Sequence, residues 1–170
     1  DAIAQGDKME RVEIIRVGEE AEKWDAAAIF ARAEEIKQKR MEEARRAQEE
    51  MLEKLSVGFE KKESGLRIRV DKAGEGPVIK AGQVAKVHYT GKFPDGRIFD
   101  SSVRRNEPFD LPVGAGRVIP GWDEALQLMH KGEKVTVILP PHLAYGEWGA
   151  GGIIPPNATL VFEIEVLDVK

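Results

Sequence analysis

Cysteine is absent from the 170 residues, which excludes disulfides and cysteine-ligated metal sites and fits either a reducing or an oxidising compartment. No run of 18 or more apolar residues occurs, so no segment is expected to span a bilayer. An excess of positive charge is also missing. The net charge is −4, which gives no electrostatic case for binding nucleic acid or an anionic membrane. Catalytic signatures are missing too: there is no G-x-S-x-G, no Walker loop and no H-E-x-x-H. His88, His130 and His142 fall in a predicted strand, a helix end and a loop, without ligand spacing, so neither a metal site nor a cofactor is expected. Gly149–Gly152 is glycine-rich but leads into Ile153-Ile154-Pro155-Pro156 and not into a helix, which argues against a phosphate cradle. The first residue is Asp1 and not Met, as expected of a fragment, and the compartment, cytoplasmic or periplasmic, stays open.

What is present divides the chain by period. Residues 1–18 end in Met9–Gly18, where Val12 and Ile14 alternate with Arg11, Glu13 and Ile15. That alternation predicts an orphan strand, whose partners must lie in another copy, in the later domain or in residues outside the chain; a disordered leader is the alternative. Residues 19–57 are rich in Glu, Lys, Arg and Ala, and no Gly or Pro interrupts Glu19–Leu55, so a long charged helix is expected. Glu35–Lys39, Glu42–Arg46 and Glu50–Lys54 are i, i+4 pairs with the acid first. Lys37, Met41, Ala44, Gln48, Met51 and Leu55 step 4-3-4-3-4, but half of them are poor core residues. Such a helix is either a solvated spacer between two domains, a coiled coil that self-associates together with the strand, or a partner-binding helix. Residues 58–65 read as a polar linker.

From residue 66 to 170 the period is two. Strands are expected over Leu66–Val70, Val84–Phe93, Arg97–Ser101, Pro108–Val113, Lys134–Leu139 and Thr159–Val169, with a hairpin turn at Pro94-Asp95-Gly96 and a polar loop over Ser102–Glu107. Behind the turn Pro120-Gly121, Trp122, Ala125, Leu126 and Met129 fall at i, i+3, i+4 and i+7, the apolar face of a short helix that Gly132 would stop. The fold class is therefore α+β, an antiparallel half-barrel of about five strands wrapped on one short helix. Trp122 at the start of a lone helix would floor whatever pocket the sheet and its loops enclose.

Aromatic and branched side chains gather at the loop mouths: Tyr89, Phe99, Phe109, Val118, Ile119, Trp122, Tyr145, Trp148, Ile153, Ile154 and Phe162, with Asp100 and Arg105 among them. On pattern alone they divide between core and pocket. A glycine-rich loop bearing Tyr145, Trp148, Ile153 and Ile154 is an unexpected place for core, because loops run over the surface.

Six phrases in order carry a family resemblance: Val87-His88-Tyr89-Thr90-Gly91, Phe99-Asp100-Ser101-Ser102, Pro108-Phe109, Val118-Ile119-Pro120-Gly121-Trp122, Ala144-Tyr145-Gly146, and Gly152-Ile153-Ile154-Pro155-Pro156-Asn157-Ala158-Thr159-Leu160-Val161-Phe162. From about Ser64 to Lys170 the chain resembles the FKBP-type peptidyl-prolyl isomerases, the macrolide-binding immunophilins. The resemblance implies a proline ring over the Trp122 indole, in a pocket lined by Phe99, Phe109, Val118, Ile153, Ile154 and Phe162. It also implies that the Ile119 N–H and the Tyr145 hydroxyl hold substrate carbonyls, and that Tyr89 and Arg105 position Asp100. Proline-containing peptides or unfolded proteins would be substrates, and macrolides inhibitors; the alternative is a proline-docking chaperone or binding module with incidental turnover. Three departures bear on sequence preference and macrolide affinity. Ala150 stands where a histidine is frequent and Leu111 where an aromatic is common; bulky Trp148 would narrow the pocket or contact residues flanking the proline. Separately, Gly6–Gly18 resembles the last strand of a cyclophilin-type isomerase, which implies a parent protein with both folds.

Overall fold

The computed structural model describes residues 26–170, so the predicted strand at 1–18 lies outside the described residues. Two compact units divide near Glu50. The described part of the first consists of helix α1 (Ala26–Leu55), most of which it contains. Ion pairs such as Arg46–Glu42, 2.8 Å apart, lie along its exposed surface. Without Gly or Pro, nothing breaks the run of intrahelical bonds until Ser56, whose N–H still reaches the Leu52 carbonyl at 2.9 Å.

The second unit holds the sheet. In chain order its elements are β1 (Glu60–Lys61), β2 (Arg67–Lys72), β3 (Glu75–Val78), β4 (Val84–Lys92), β5 (Ile98–Ser101), α2 (Ser102–Arg105), β6 (Phe109–Pro112), α3 (Pro120–Leu126), β7 (His130–Lys131), β8 (Lys134–Leu139), a 3₁₀ turn (Pro141–Leu143) and β9 (Leu160–Val169). The antiparallel sheet runs β1-β2-β8-β9-β4-β5, with β6 beside β4 as well, while β3 and β7 form a separate pair. Strand β6 covers Val84–Val87 and β5 covers Thr90–Lys92, so the two share one flank of β4. Counted by position, the main sheet is the predicted five strands plus the two-residue edge β1.

Alternation sets the inner face. Ala85 and Val87 of β4 and Leu160, Phe162, Ile164 and Val166 of β9 are buried, and pack with Trp122, Ala125 and Leu126 of α3. Central β8 is buried from Val135 to Leu139. Such a strand presents apolar residues on both faces.

Three sequence expectations are corrected. The helix ends at Leu126, before Met129, and His130 and Lys131 pair with β3 as β7. Met129 is fully buried all the same, so its place in the period reflected burial and not helix. The loop Ser102–Glu107 contains the one-turn helix α2, capped by the Ser101 side chain, which accepts from the Arg104 N–H, and by Asn106 in the left-handed conformation. Within the predicted linker, Glu60–Lys61 pairs with Arg67–Ile68.

Candidate functional site

At the open end of the half-barrel lies a cavity of about 450 Å³, lined by Tyr89, Phe99, Asp100, Phe109, Gly116, Arg117, Val118, Ile119, Trp122, Tyr145 and Phe162. Trp122 is its floor, only 4% exposed. The edges of Tyr89 and Phe162 meet the indole with ring centroids 5.0 and 5.4 Å away, and Phe99 stands edge-on to Phe162 at 5.7 Å. Edge-to-face packing fixes these rings as rigid walls.

The strand register explains how two consecutive residues reach the cavity. Gly91 pairs with Asp100, but Lys92 pairs with Ile98, which leaves Phe99 as an extra residue on β5. This bulge breaks the in-out alternation and lets Phe99 and Asp100 both line the site.

One wall is charged. The Tyr89 hydroxyl donates to Asp100 Oδ2 at 2.5 Å, Arg105 Nη1 pairs with Asp100 Oδ1, and Arg105 Nη2 donates to the Tyr89 oxygen at 3.2 Å. Helix α2 brings Arg105 back to Asp100, and Ser102 ties that helix to β4: its buried hydroxyl accepts the Tyr89 N–H at 2.8 Å and lies 2.9 Å from His88 Nδ1. Burial is the largest influence on the Asp100 carboxyl and pushes its pKa up, but the Tyr89 and Arg105 hydrogen bonds and the Arg105 charge outweigh it and hold the carboxyl below the usual range. The Tyr89 phenol is pushed up by burial and by donating to Asp100, and the Tyr145 phenol by burial and the nearby Asp100 charge. The site thus holds one carboxylate and two neutral phenols at neutral pH.

Nine sequence-predicted residues are brought together here: Tyr89, Phe99, Asp100, Phe109, Val118, Ile119, Trp122, Tyr145 and Phe162. Arg105 bonds to the site from outside the lining. Ile153 and Ile154 lie outside this lining: both line a neighbouring cleft, with Ile154 in the core and Ile153 largely exposed. Trp148 lines that cleft as well and does not narrow the cavity. Gly116 and Arg117 were missed. The loop carrying them is held by Asp123, whose two carboxylate oxygens accept the Gly114 and Gly116 N–H groups at 3.0 and 2.8 Å. The sequence signal was Gly114-Ala115-Gly116 just before an acidic first helical turn.

Among the described residues no group of three His, Asp or Glu side chains could hold a metal ion, and no helix is long and apolar enough to cross a membrane.

A half-barrel closed on a single helix, with an aromatic cavity at the helix start, is an FKBP-like α+β fold. The family model described as FKBP-type peptidyl-prolyl cis-trans isomerase matches residues 76–167, and the chain belongs to that family. It is 45% identical over 144 residues to a probable FKBP-type peptidyl-prolyl cis-trans isomerase of Haemophilus influenzae, a match covering 85% of this chain and 58% of that protein. It is 48% identical over 123 residues to FK506-binding protein 2 of Yarrowia lipolytica, covering 72% of this chain and 81% of that one. Among solved structures, FkpA from Escherichia coli superposes with a TM-score of 0.67 at 35% identity, over 91% of this chain and 74% of that one. The chain therefore spans less than two thirds of the length of its Haemophilus relative.

Proposed function

We propose that the chain is a peptidyl-prolyl cis-trans isomerase that speeds the folding of proteins limited by X-Pro bonds. The observation that carries this is the aromatic-walled cavity floored by Trp122 and rimmed by the Tyr89–Asp100–Arg105 cluster. Rotation about a peptide bond has a barrier of about 18–20 kcal/mol because twisting breaks amide resonance. For X-Pro bonds cis and trans are near in energy and interconvert slowly. A planar amide is charge-separated by resonance and a twisted one less so. A dry aromatic cavity therefore favours the twisted amide, and each 1.36 kcal/mol of that preference is tenfold in rate. Trp122 supports the proline ring, while the Ile119 N–H and the Tyr145 hydroxyl hold the flanking carbonyls. Asp100, bound on both oxygens, shapes the pocket wall. The same cavity would take macrolides of the kind that give the Yarrowia relative its name, as inhibitors.

The test is cis-to-trans isomerisation of short Xaa-Pro peptides with and without such a macrolide. Macrolide-sensitive acceleration is expected, and its absence would overturn the reading. Tyr145→Phe should lower kcat/KM about tenfold, the worth of one hydrogen bond. Asp100→Ala should lower it by a similar factor by releasing Arg105 and Tyr89.

The pH profile follows from the site's charges. With the Asp100 pKa lowered, the carboxylate stays ionised down to acid pH; with the Tyr89 and Tyr145 pKa values raised, both phenols stay neutral well into the alkaline range. None of the three changes charge between about pH 5 and 9, so kcat/KM should be flat there. A limb inside that window would assign control to another group.

A second reading concerns helix α1, whose Phe30 is 74% exposed, with Ile29, Ile36 and Met41 also exposed. Those side chains support self-association, which sedimentation over a concentration range would reveal; a monomer throughout would sink it. The cyclophilin likeness of Gly6–Gly18 rests on that stretch alone. The 144-residue match with the Haemophilus relative exceeds the length of residues 66–170 and so supports an FKBP-type setting for the helix instead.

A further inference from the structure

Trp148 is the most exposed large apolar side chain among the described residues, at 90%, and it is not isolated. With Phe93, Arg97, Ile153 and Pro155 it lines a cleft of about 520 Å³ beside the prolyl cavity. Ile153 in this cleft is itself 63% exposed. Clustered exposed apolar surface of this kind marks a contact site, whereas single exposed side chains do not.

The loop that carries these residues is closed on itself. Ala150 and Ile154 exchange two backbone hydrogen bonds of 2.9 Å, and the Ile153 N–H adds a third to the Ala150 carbonyl at 3.1 Å. Gly149 makes the closure fit: its φ is +65°, and a Cβ there would lie 2.1 Å from the Ile154 carbonyl oxygen. Ile154 is thereby drawn into the core while Trp148 and Ile153 are held out to solvent, a surface ordered before any ligand arrives.

The cleft adjoins the prolyl site. Phe93 of the cleft packs on Phe99 of the cavity with centroids 5.2 Å apart, so one pair of rings separates the two. Tyr145, which lines the cavity, lies three residues before Trp148 on the same loop. The one cation lining the cleft is already engaged: Arg97 donates to Asp95 at 2.7 Å and lies over the Phe93 ring at 5.0 Å. The cleft therefore offers planar and aliphatic faces more than a free charge.

We propose that this cleft is a second contact site for the polypeptide substrate and takes a large apolar or aromatic side chain near the proline held over Trp122. The occupant rests on the isomerase reading above. An extended chain advances about 3.3 Å per residue, so crossing the Phe93–Phe99 wall needs about two to four residues on one side of the proline. Trp148 is then a specificity-determining residue for segments that carry both a proline and a bulky apolar side chain, as unfolded chains do.

The test uses the full chain and labelled ten-residue peptides with a central Ala-Pro. One set carries Phe two to four residues before or after the proline, and the matched set carries Ala. By fluorescence anisotropy, wild type should bind the best Phe peptide about tenfold more tightly than its Ala partner, and Trp148→Ala should erase that difference. Isomerisation of an Ala-Pro tetrapeptide should stay within about twofold, because Trp148 lies outside the cavity. Equal binding of both sets by wild type would overturn the proposal, as would a Phe preference that survives Trp148→Ala or an equal loss on the tetrapeptide. If wild type isomerised no peptide, the isomerase reading would fail while the binding comparison still decided the cleft.

Discussion

Replacing Trp122 with alanine should abolish prolyl isomerisation and cost about 3 kcal/mol of folding stability, the lower end of the about 3–5 kcal/mol range for large aromatic truncations. The indole is almost fully buried and receives the edges of Tyr89 and Phe162. Each such pair contributes about 0.5–1.5 kcal/mol beyond area burial. One term works in the opposite direction. Among the described residues the buried Trp122 Nε1–H has no acceptor, and an unsatisfied buried donor costs about 1–3 kcal/mol. Truncation removes that cost along with the packing, which sets the expected loss near the bottom of the range. The domain should therefore remain folded with its floor missing, given total stabilities of about 5–15 kcal/mol. Denaturant melts and the peptide assay on one preparation separate the two effects. Trp122→Phe should restore stability more than activity. A folded Trp122→Ala variant with near wild-type kcat/KM would show that the proline does not sit on the indole.

Gly91→Ala should produce the opposite deformation. Gly91 lies across from Phe162 in the β4–β9 register, beside the β5 bulge. A Cβ there would stand 2.6 Å from Phe99 Cζ and 2.8 Å from Phe162 Cε1, closer than real contacts allow. Both rings are walls of the cavity, and Phe162 is buried, so the easier outcome is that Phe99 is driven into the cavity. Overpacking of this kind costs about 1–3 kcal/mol. Stability should fall by that amount and kcat/KM by at least tenfold, with KM carrying much of the change because the cavity is narrower. A variant with an unchanged KM would place the prolyl ring away from the Phe99 wall.

The parts of the site legible in the sequence were those whose side chains sit in fixed local phrases. Trp122 behind Pro120-Gly121, Tyr89 in an alternating strand and Tyr145 between small residues needed only local spacing. Register was not legible. Phe99 and Asp100 are neighbours, and alternation alone would send them to opposite faces; the bulge that unites them appears only once β5 is paired. The placement of the Ile153-Ile154 pair was not legible for a related reason, since backbone bonds to Ala150, not residue type, decide which isoleucine turns inward. Met129 misled by keeping helical spacing beyond Leu126, because periodicity reports burial and not backbone conformation. Glu60–Lys61 left no apolar trace at all, being a short charged edge.

Strand β9 has a consequence for how this domain is made. It is the last of the described elements, yet it lies between β8 and β4 and not at an edge. While residues 160–169 are still inside a ribosome, β2–β8 on one side and β4 with β5 and β6 on the other have no bridge between them. Their apolar inner faces stay uncovered until β9 has emerged, and closure then joins segments far apart in sequence, a slow kind of folding. Losing residues 160–169 would split the sheet down the middle, where trimming an edge would only shorten it.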